Sequence, residues 1–365
     1  MKVSDFRGSR VLITGNTGFK GSWLAEWLIG HGADVYGYAL NPEWEKSLFE
    51  TRRHAERMNH TAGDIRDIDH LKRVMQKAQP EWVFHLAAQP LVRRSYREPI
   101  LTWETNVMGT LNLLEGLRTI PTPRAVVIVT TDKVYRNTES PHGYKETDEL
   151  GGHDPYAASK AACELVVASW RESYGEKAGI RVATARAGNV LGGGDWSADR
   201  IVPDCFRAWR KTEKVKLRHP QATRPWQHVL EPLSGYLTLA QALAKGQNAP
   251  SAVNFGPSED ALIPVGTLVD HIAKITGGVG WEVESPSTTS SLHETTYLAL
   301  NTSLARQRLG WRPKLTVDQL IEWTSQGYGL SGERDAANDA AYVETQIADY
   351  EALEHKTGLK KQFDE

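Results

Sequence analysis

Residues Arg10–Gly30 (RVLITGNTGFKGSWLAEWLIG) constrain this chain more than any other stretch. Val11, Leu12 and Ile13 form a short branched apolar run of the kind that is buried on both faces of a sheet. Gly15, Gly18 and Gly21 follow with the spacing G-x-x-G-x-x-G, and Ser22–Ile29 sets Trp23, Leu24, Trp27 and Leu28 on one helical face. Strand, glycine turn and helix in that order make a phosphate cradle. The glycines let the backbone turn tightly and approach a pyrophosphate, whose charge rests on the helix N-terminal N–H groups. The same glycines could serve an ordinary strand-to-helix turn. Here both flanking elements are present, and the unit sits at the N-terminus, where a first βα unit belongs, which favours a dinucleotide site.

What surrounds this unit narrows the class. A chain of 365 residues can bury a large core and is expected to split into two lobes. A net charge of −2 speaks against nucleic-acid or anionic-membrane partners. Two cysteines, Cys163 and Cys205, make no disulfide framework and no metal-type cluster, so no metal is expected and a reducing compartment fits. The start, MKVSDFRGSR, has no apolar signal region, and no run approaches the ~18 apolar residues of a membrane span; a cytoplasmic protein is expected.

Strand and helix signals alternate from here on. Ala33–Leu40, Trp82–Leu86, Ala125–Val129 and Arg181–Ala185 read as strands; 68–77, Pro99–Leu117 and Ala157–Tyr174 read as helices. The pattern predicts an α/β fold with a doubly wound parallel sheet over residues 1–188. It loosens after Arg186: Gly188–Trp196 reads as a glycine-rich loop. Leu230–Ala244 reads as a helix, and Ala252–Phe255 as a strand that returns to the sheet within 225–257. Residues 189–224 and 258–350, with a Ser/Thr-rich loop at Ser285–Ser291, are expected to form a smaller mixed lobe for substrate, and 351–365 a partly frayed tail.

The strand end Thr130-Thr131-Asp132-Lys133 should face the crevice outside the sheet, where ligands of such folds lie. Tyr156 and Lys160 are four apart and stack on one helical face. A lysine ammonium there would lower the tyrosine pKa toward working pH and make the phenol a plausible base. Asp154 and Pro155 also read as a helix cap and first helical residue, and both readings hold together.

Taken together, Thr14-Gly15-x-x-Gly18-x-x-Gly21, Tyr156-x-x-x-Lys160 and Arg186-x-x-Asn189-Val190 resemble the extended short-chain dehydrogenase/reductase family over roughly Ser9 to Trp311, and with it a Rossmann-type sheet. Within that family the segments 15–23, 130–135 and 192–196 look most like the nucleotide-sugar 4,6-dehydratases. The resemblance implies NAD as cofactor and CDP-glucose as the nucleotide-sugar substrate. It implies oxidation at C4, elimination of water across C5 and C6, and reduction at C6. Gly15, Thr17, Gly18, Phe19, Lys20, Gly21, Asp64, Ile65, Leu86, Ala87 and Ala88, with Tyr156 and Lys160, would bind the cofactor. Tyr156 would take the 4-hydroxyl proton and Thr131 would bond that hydroxyl. Asp132 would be the acid for the 6-hydroxyl and Lys133, as a neutral amine, the base at C5. Asn189, Arg200, Arg224, His293 and Tyr297 would contact substrate. At the end of the second strand, Tyr38-Ala39-Leu40-Asn41-Pro42 carries neither the acidic residue usual for NAD nor an arginine, so NAD rests on the resemblance.

A nucleotide-sugar 4-epimerase shares Tyr156, Lys160 and the glycine turn but needs no second acid–base pair, so Asp132-Lys133 disfavours it. A dinucleotide-binding protein without turnover would need only the glycine turn. Apolar residues beyond one face of Trp103–Leu117 and Ala161–Tyr174, including Leu165, Val166 and Trp170, predict a homodimer or homotetramer through the family's intersubunit four-helix bundle.

Overall fold

The apolar runs become a seven-stranded sheet in which every pairing is parallel. The computed structural model describes residues 3–359 apart from 45–46, 122, 141, 247–248, 259–260, 285–296 and 329–335. Strands β1 (Arg10–Thr14), β2 (Asp34–Ala39), β3 (Asn59–Ala62), β4 (Trp82–His85), β5 (Ala125–Val129) and β6 (Val182–Ala187) are joined at the β6 edge by Ala252–Phe255. The spatial order is Ala252–Phe255, β6, β5, β4, β1, β2, β3. Strand order therefore reverses between β1 and β4, and the crevice outside their carboxyl ends is the expected ligand position. β4, β5 and β6 are buried at every residue, which is why their sequences show no alternation.

Helices cover both faces. Phe19–Gly30 and Leu230–Ala244 bury Trp23, Trp27, Leu233 and Tyr236 against one face. Leu71, Met75, Leu114, Val167 and Trp170 pack on the other. The helix expected over Pro99–Leu117 is present but carries a π-helical turn at Glu104–Met108. Such a turn leaves no mark in an apolar periodicity and is frequent at functional sites.

Two segments differ from the reading of the sequence. Within the expected loop Gly188–Trp196, Asn189–Leu191 is a strand, paired in parallel with Thr223–His228, which also pairs antiparallel with Leu262–Pro264. A strand of three residues is too short for its alternation to stand out. The tail from Gly332, whose polar, Ala-rich sequence reads as a helix that is partly frayed, does form a helix, Ala336–Leu359, but its Val343, Ile347 and Tyr350 are buried against the first helix. Residues 336–359 thus pack on the parallel sheet's helical layer rather than on the smaller sheets. The Ser/Thr-rich loop at 285–291 lies outside the described residues. No described helix is long and apolar enough to cross a membrane.

Candidate active site

The glycine turn is built as its spacing predicts. Gly15 adopts φ +75°, and a Cβ there would lie 2.6 Å from the Ala87 nitrogen, so the turn presses on the end of β4. A Cβ on Gly21 would sit 2.1 Å from the Gly15 carbonyl oxygen, so only glycine lets the first helix start this close to the loop. Gly18 caps that helix, and the Thr17 hydroxyl donates to the Leu40 carbonyl at 2.9 Å. The turn opens on a cavity of about 330 Å³ lined by all the expected cofactor residues: Gly15, Thr17, Gly18, Phe19, Lys20, Gly21, Asp64, Ile65, Leu86, Ala87, Ala88, Tyr156 and Lys160. The glycine cradle, the helix N-terminus behind it and the mixed apolar and polar walls fit a dinucleotide. Beyond the end of β2 the cavity wall also holds Glu43, ion-paired with Arg94 at 3.1 Å.

Two elements bring the reactive side chains together at the far wall. β5 ends at Val129, and Thr131 to Val134 turn sharply, with the Thr131 hydroxyl accepting from the Lys133 N–H at 3.4 Å. The helix Pro155–Trp170 starts with Asp154 accepting from the Ala157 N–H at 2.9 Å, as its capping pattern predicts. Tyr156 and Lys160 are buried on its face toward the sheet, and Lys160 Nζ donates to the Val129 carbonyl at 3.1 Å. The Asp132 side chain is wholly buried. Its Oδ1 accepts from the Thr131 hydroxyl at 2.9 Å and from Lys133 Nζ at 3.2 Å, while Oδ2 is buried with no hydrogen-bond partner. Thr131, Asp132 and Lys133 lie outside the lining of the cofactor cavity, next to Thr130 and Tyr156, which belong to it.

Protonation differs from expectation at Tyr156. Burial pushes its phenol up to about 12, against the lowering effects of Arg200 and a hydrogen bond with Thr131. Desolvation of a would-be phenolate outweighs the cations nearby. Lys160, whose Nζ donates to the Val129 carbonyl and whose own pKa is lowered by burial, does not bring the phenol toward neutrality. The unexpected group is Lys20. It lies in the glycine turn with Nζ 3.5 Å from the Tyr236 hydroxyl, and burial, Lys160 and Arg200 lower its pKa to about 7. Asp132 and Lys133 also act on its charge, so Lys20 belongs to the reactive cluster as well as to the cofactor wall.

Sequence reading missed Asn106. On the π-helical turn its Nδ2 donates to Ser159 Oγ at 2.9 Å, its Oδ1 accepts from the Gln89 N–H at 2.8 Å, and Ser159 Oγ donates to the Tyr156 carbonyl. An asparagine interrupting the apolar helical face was the available signal.

A second cavity of about 470 Å³ adjoins the first and contains Asn189, Arg200 and Arg224, together with Arg93, Lys216, Arg218 and His219. Arg200 lines both cavities and reaches the Pro90 carbonyl at 3.4 Å. Asp195, Asp199, Asp204 and Glu284 line this second cavity too, with Arg93 paired to Asp199 at 3.0 Å; among these mixed charges the guanidinium forks of Arg200 and Arg224 suit a diphosphate. Of the two contacts expected from the C-terminal part, Tyr297 lines neither cavity; its carbonyl accepts from Asn137 Nδ2 at 3.3 Å. His293 lies outside the described residues.

The chain is similar to known proteins over most of its length. The GDP-mannose 4,6 dehydratase family model matches residues 12–324. The chain is 44% identical to CDP-glucose 4,6-dehydratase of Salmonella typhimurium over 329 residues, which cover 87% of this chain and 91% of that protein. Among solved structures, dTDP-glucose 4,6-dehydratase of Bacillus anthracis in complex with NAD superposes with a TM-score of 0.73 at 21% identity, covering 87% of this chain and 96% of that one. UDP-glucose 4-epimerase of Thermotoga maritima superposes with a TM-score of 0.75 at 22% identity, over 87% and 98% of the two chains. The two superpositions establish a shared fold, and the family match over most of the length goes further: the chain belongs to the GDP-mannose 4,6 dehydratase family, and so to the extended short-chain dehydrogenases/reductases.

Proposed function

We propose that this protein is an NAD-dependent nucleotide-sugar 4,6-dehydratase that converts CDP-glucose to CDP-4-keto-6-deoxyglucose and water. The observation that carries the reading is the second acid–base pair. Asp132 and Lys133, 3.2 Å apart, stand on the same strand end as Thr131 and beside Tyr156. A 4-epimerase has no use for such a pair. The 44% identity to a CDP-glucose 4,6-dehydratase supports the cytidine nucleotide, and the glycine cradle supports the dinucleotide.

NAD, held by Gly15, Thr17, Gly18, Lys20, Asp64, Ala87 and Lys160, supplies the redox capacity for C4 and C6. The protein's own groups move the protons. Tyr156 shares the 4-hydroxyl proton as C4 is oxidised, and a phenol near 12 does so as a partner in transfer rather than as a standing phenolate. Thr131 holds that hydroxyl. Once C4 is a ketone the C5 proton is acidic; Lys133 in its amine form takes it, and Asp132 in its acid form protonates the departing 6-hydroxyl. Reduction at C6 takes the C5 proton back from Lys133, and the proton that Tyr156 took from the 4-hydroxyl restores Asp132 through solvent, so the cycle closes with water as the leaving group. Asn189, Arg200 and Arg224 hold the diphosphate.

The test is incubation with NAD and CDP-glucose, followed by the alkaline ultraviolet chromophore of a 4-keto-6-deoxy sugar. Product from CDP-glucose in preference to dTDP-, UDP- and GDP-hexoses is expected. Interconversion of 4-epimers without loss of water would replace the reading with epimerisation.

Assembly is part of the same proposal. Ile100, Trp103, Met108, Leu165 and Tyr174 are exposed on neighbouring helices, a face that supports a homodimer through a four-helix bundle. Trp170, expected on that face, is instead buried, with its indole N–H donating to Glu115 Oε1 at 2.8 Å. Light scattering should report at least a dimer at micromolar concentration.

A further inference from the structure

The turn that carries Asp132 and Lys133 is tied at both ends to one buried ion pair. Glu164, one helical turn beyond Lys160, accepts from Arg186 Nη2 at 2.8 Å and Nε at 3.0 Å. Both residues are buried. Before the turn, the Thr130 hydroxyl donates to Glu164 Oε1 at 2.5 Å. After it, the Tyr135 hydroxyl accepts from Arg186 Nη1 at 2.7 Å and donates to Asn254 Oδ1 at 2.7 Å. The Tyr135 ring is stacked on Tyr144 at 5.1 Å, with the Arg186 guanidinium 5.0 Å from its centre. The strand that bears Arg186 ends at Ala187, and a Cβ on the next residue, Gly188, would lie 2.8 Å from Asp132 Oδ2. Two residues that touch neither cavity, Tyr135 and Glu164, thus fix where the Asp132 carboxylate stands relative to the Tyr156 helix.

We propose that Tyr135 is a positioning residue for the elimination step: its hydroxyl, held by Arg186 and Asn254, clamps the Asp132-Lys133 turn in register with Tyr156. The inference rests on the reading of Asp132 and Lys133 as the elimination pair. The Glu164–Arg186 ion pair is shared by the turn and the Tyr156 helix, so removing it would disturb both steps. The Tyr135 hydroxyl meets that pair only through Arg186 Nη1, which also donates to the Glu146 carbonyl at 3.2 Å, so its loss leaves both Glu164–Arg186 bonds in place. Tyr135→Phe keeps the stacked ring and deletes only the oxygen, so the variant separates position from packing.

The experiment compares wild type, Tyr135→Phe and the Asp132→Asn, Lys133→Met double variant, each with NAD and CDP-glucose. The Tyr135→Phe enzyme should bind CDP-glucose with unchanged KM and reach its reduced-cofactor absorbance at the wild-type rate. It should then lose dehydrated product and solvent-deuterium uptake at C5 by about 10²-fold, the scale of an ångström's misplacement. Amide hydrogen exchange of residues 131–134 in the free protein should quicken. A merely structural role would lower the melting temperature and the active fraction without changing this partition. Product at the wild-type rate, or equal slowing of both stages, overturns the inference. If the double variant itself makes full product, it is the assignment of Asp132 and Lys133 that fails. Should Tyr135→Phe not fold, Asn254→Ala withdraws the acceptor of the same hydroxyl without touching either cavity, and the same partition decides.

Discussion

Lys133 Nζ lies 3.2 Å from Asp132 Oδ1, while Asp132 Oδ2 is buried without a partner. One oxygen of the carboxylate is thus engaged, and the other has no partner among the described residues. An orphaned buried acceptor costs about 1–3 kcal/mol, which is tolerated where a substrate group satisfies it. Elimination should therefore depend on this pair while C4 oxidation does not. The double variant Asp132→Asn, Lys133→Met should reduce bound cofactor on mixing with CDP-glucose, read as its near-ultraviolet absorbance, and release little dehydrated sugar. Full product formation would remove the pair from the mechanism.

Tyr156→Phe separates the other step. The ring packing is retained and the phenolic oxygen lost, so turnover should fall by roughly two to four decades, the usual worth of a positioned acid–base group. Here the reduced-cofactor absorbance should fail to appear at all, in contrast to the double variant. Near-wild-type turnover would discard the assignment.

Lys20 gives a pH dependence with a definite sign. Its folded pKa is about 7 against the ordinary lysine value of 10.5, so between those values the unfolded chain binds a proton that the folded one does not. Stability then rises with pH across that window, and the penalty for burying the ammonium is complete below about pH 7. Lys20→Met removes the penalty. Denaturation midpoints should show the variant ahead of wild type at pH 6 to 7, with the gap narrowing as pH rises toward 10. A gap that stays constant from pH 6 to 10 would mean that Lys20 is not held in a desolvated site.

How much of this could be read beforehand follows from the range of the interactions. The sheet was legible because β5 is an uninterrupted apolar run and β1 and β4 are apolar but for their ends, and the glycine turn because steric demands at Gly15 and Gly21 admit no other residue. The Tyr156 helix was legible through its local cap. What stayed hidden depends on partners far along the chain. The burial that raises Tyr156 and lowers Lys20 comes from elements that sequence spacing does not bring together. The clamp from Tyr135 to Arg186 and Asn254 spans residues 51 and 119 positions away. The Gln89–Asn106–Ser159 chain depends on a π-helical turn with no periodic signature.

The C-terminal helix shows the same principle in its energetics, and it can be tested through Glu231. This carboxylate is buried on Leu230–Ala244, where burial raises its pKa. Its Oε1 accepts the N–H groups of Lys314 and Leu315, both at 2.7 Å, and its Oε2 accepts the Tyr350 hydroxyl at 2.6 Å. Tyr350 is wholly buried and also meets the Ser234 hydroxyl at 2.9 Å. One side chain therefore fastens both the 314–315 segment and the helix Ala336–Leu359 to the helical layer of the sheet. Glu231→Ala would leave two backbone N–H groups unsatisfied in a dry site, at roughly 1–3 kcal/mol apiece before relaxation and water entry, and the Tyr350 phenol with Ser234 as its partner. The expected result is a clear fall in the unfolding midpoint and early proteolysis within the C-terminal helix. Reactivity at saturating substrate should be nearly unchanged at low temperature, because Glu231 lines neither cavity. Tyr350→Phe, which removes one of the three partners, should show a smaller loss in the same direction. Equal stability of Glu231→Ala and wild type would mean that the C-terminal helix is held by its apolar contacts with the first helix alone.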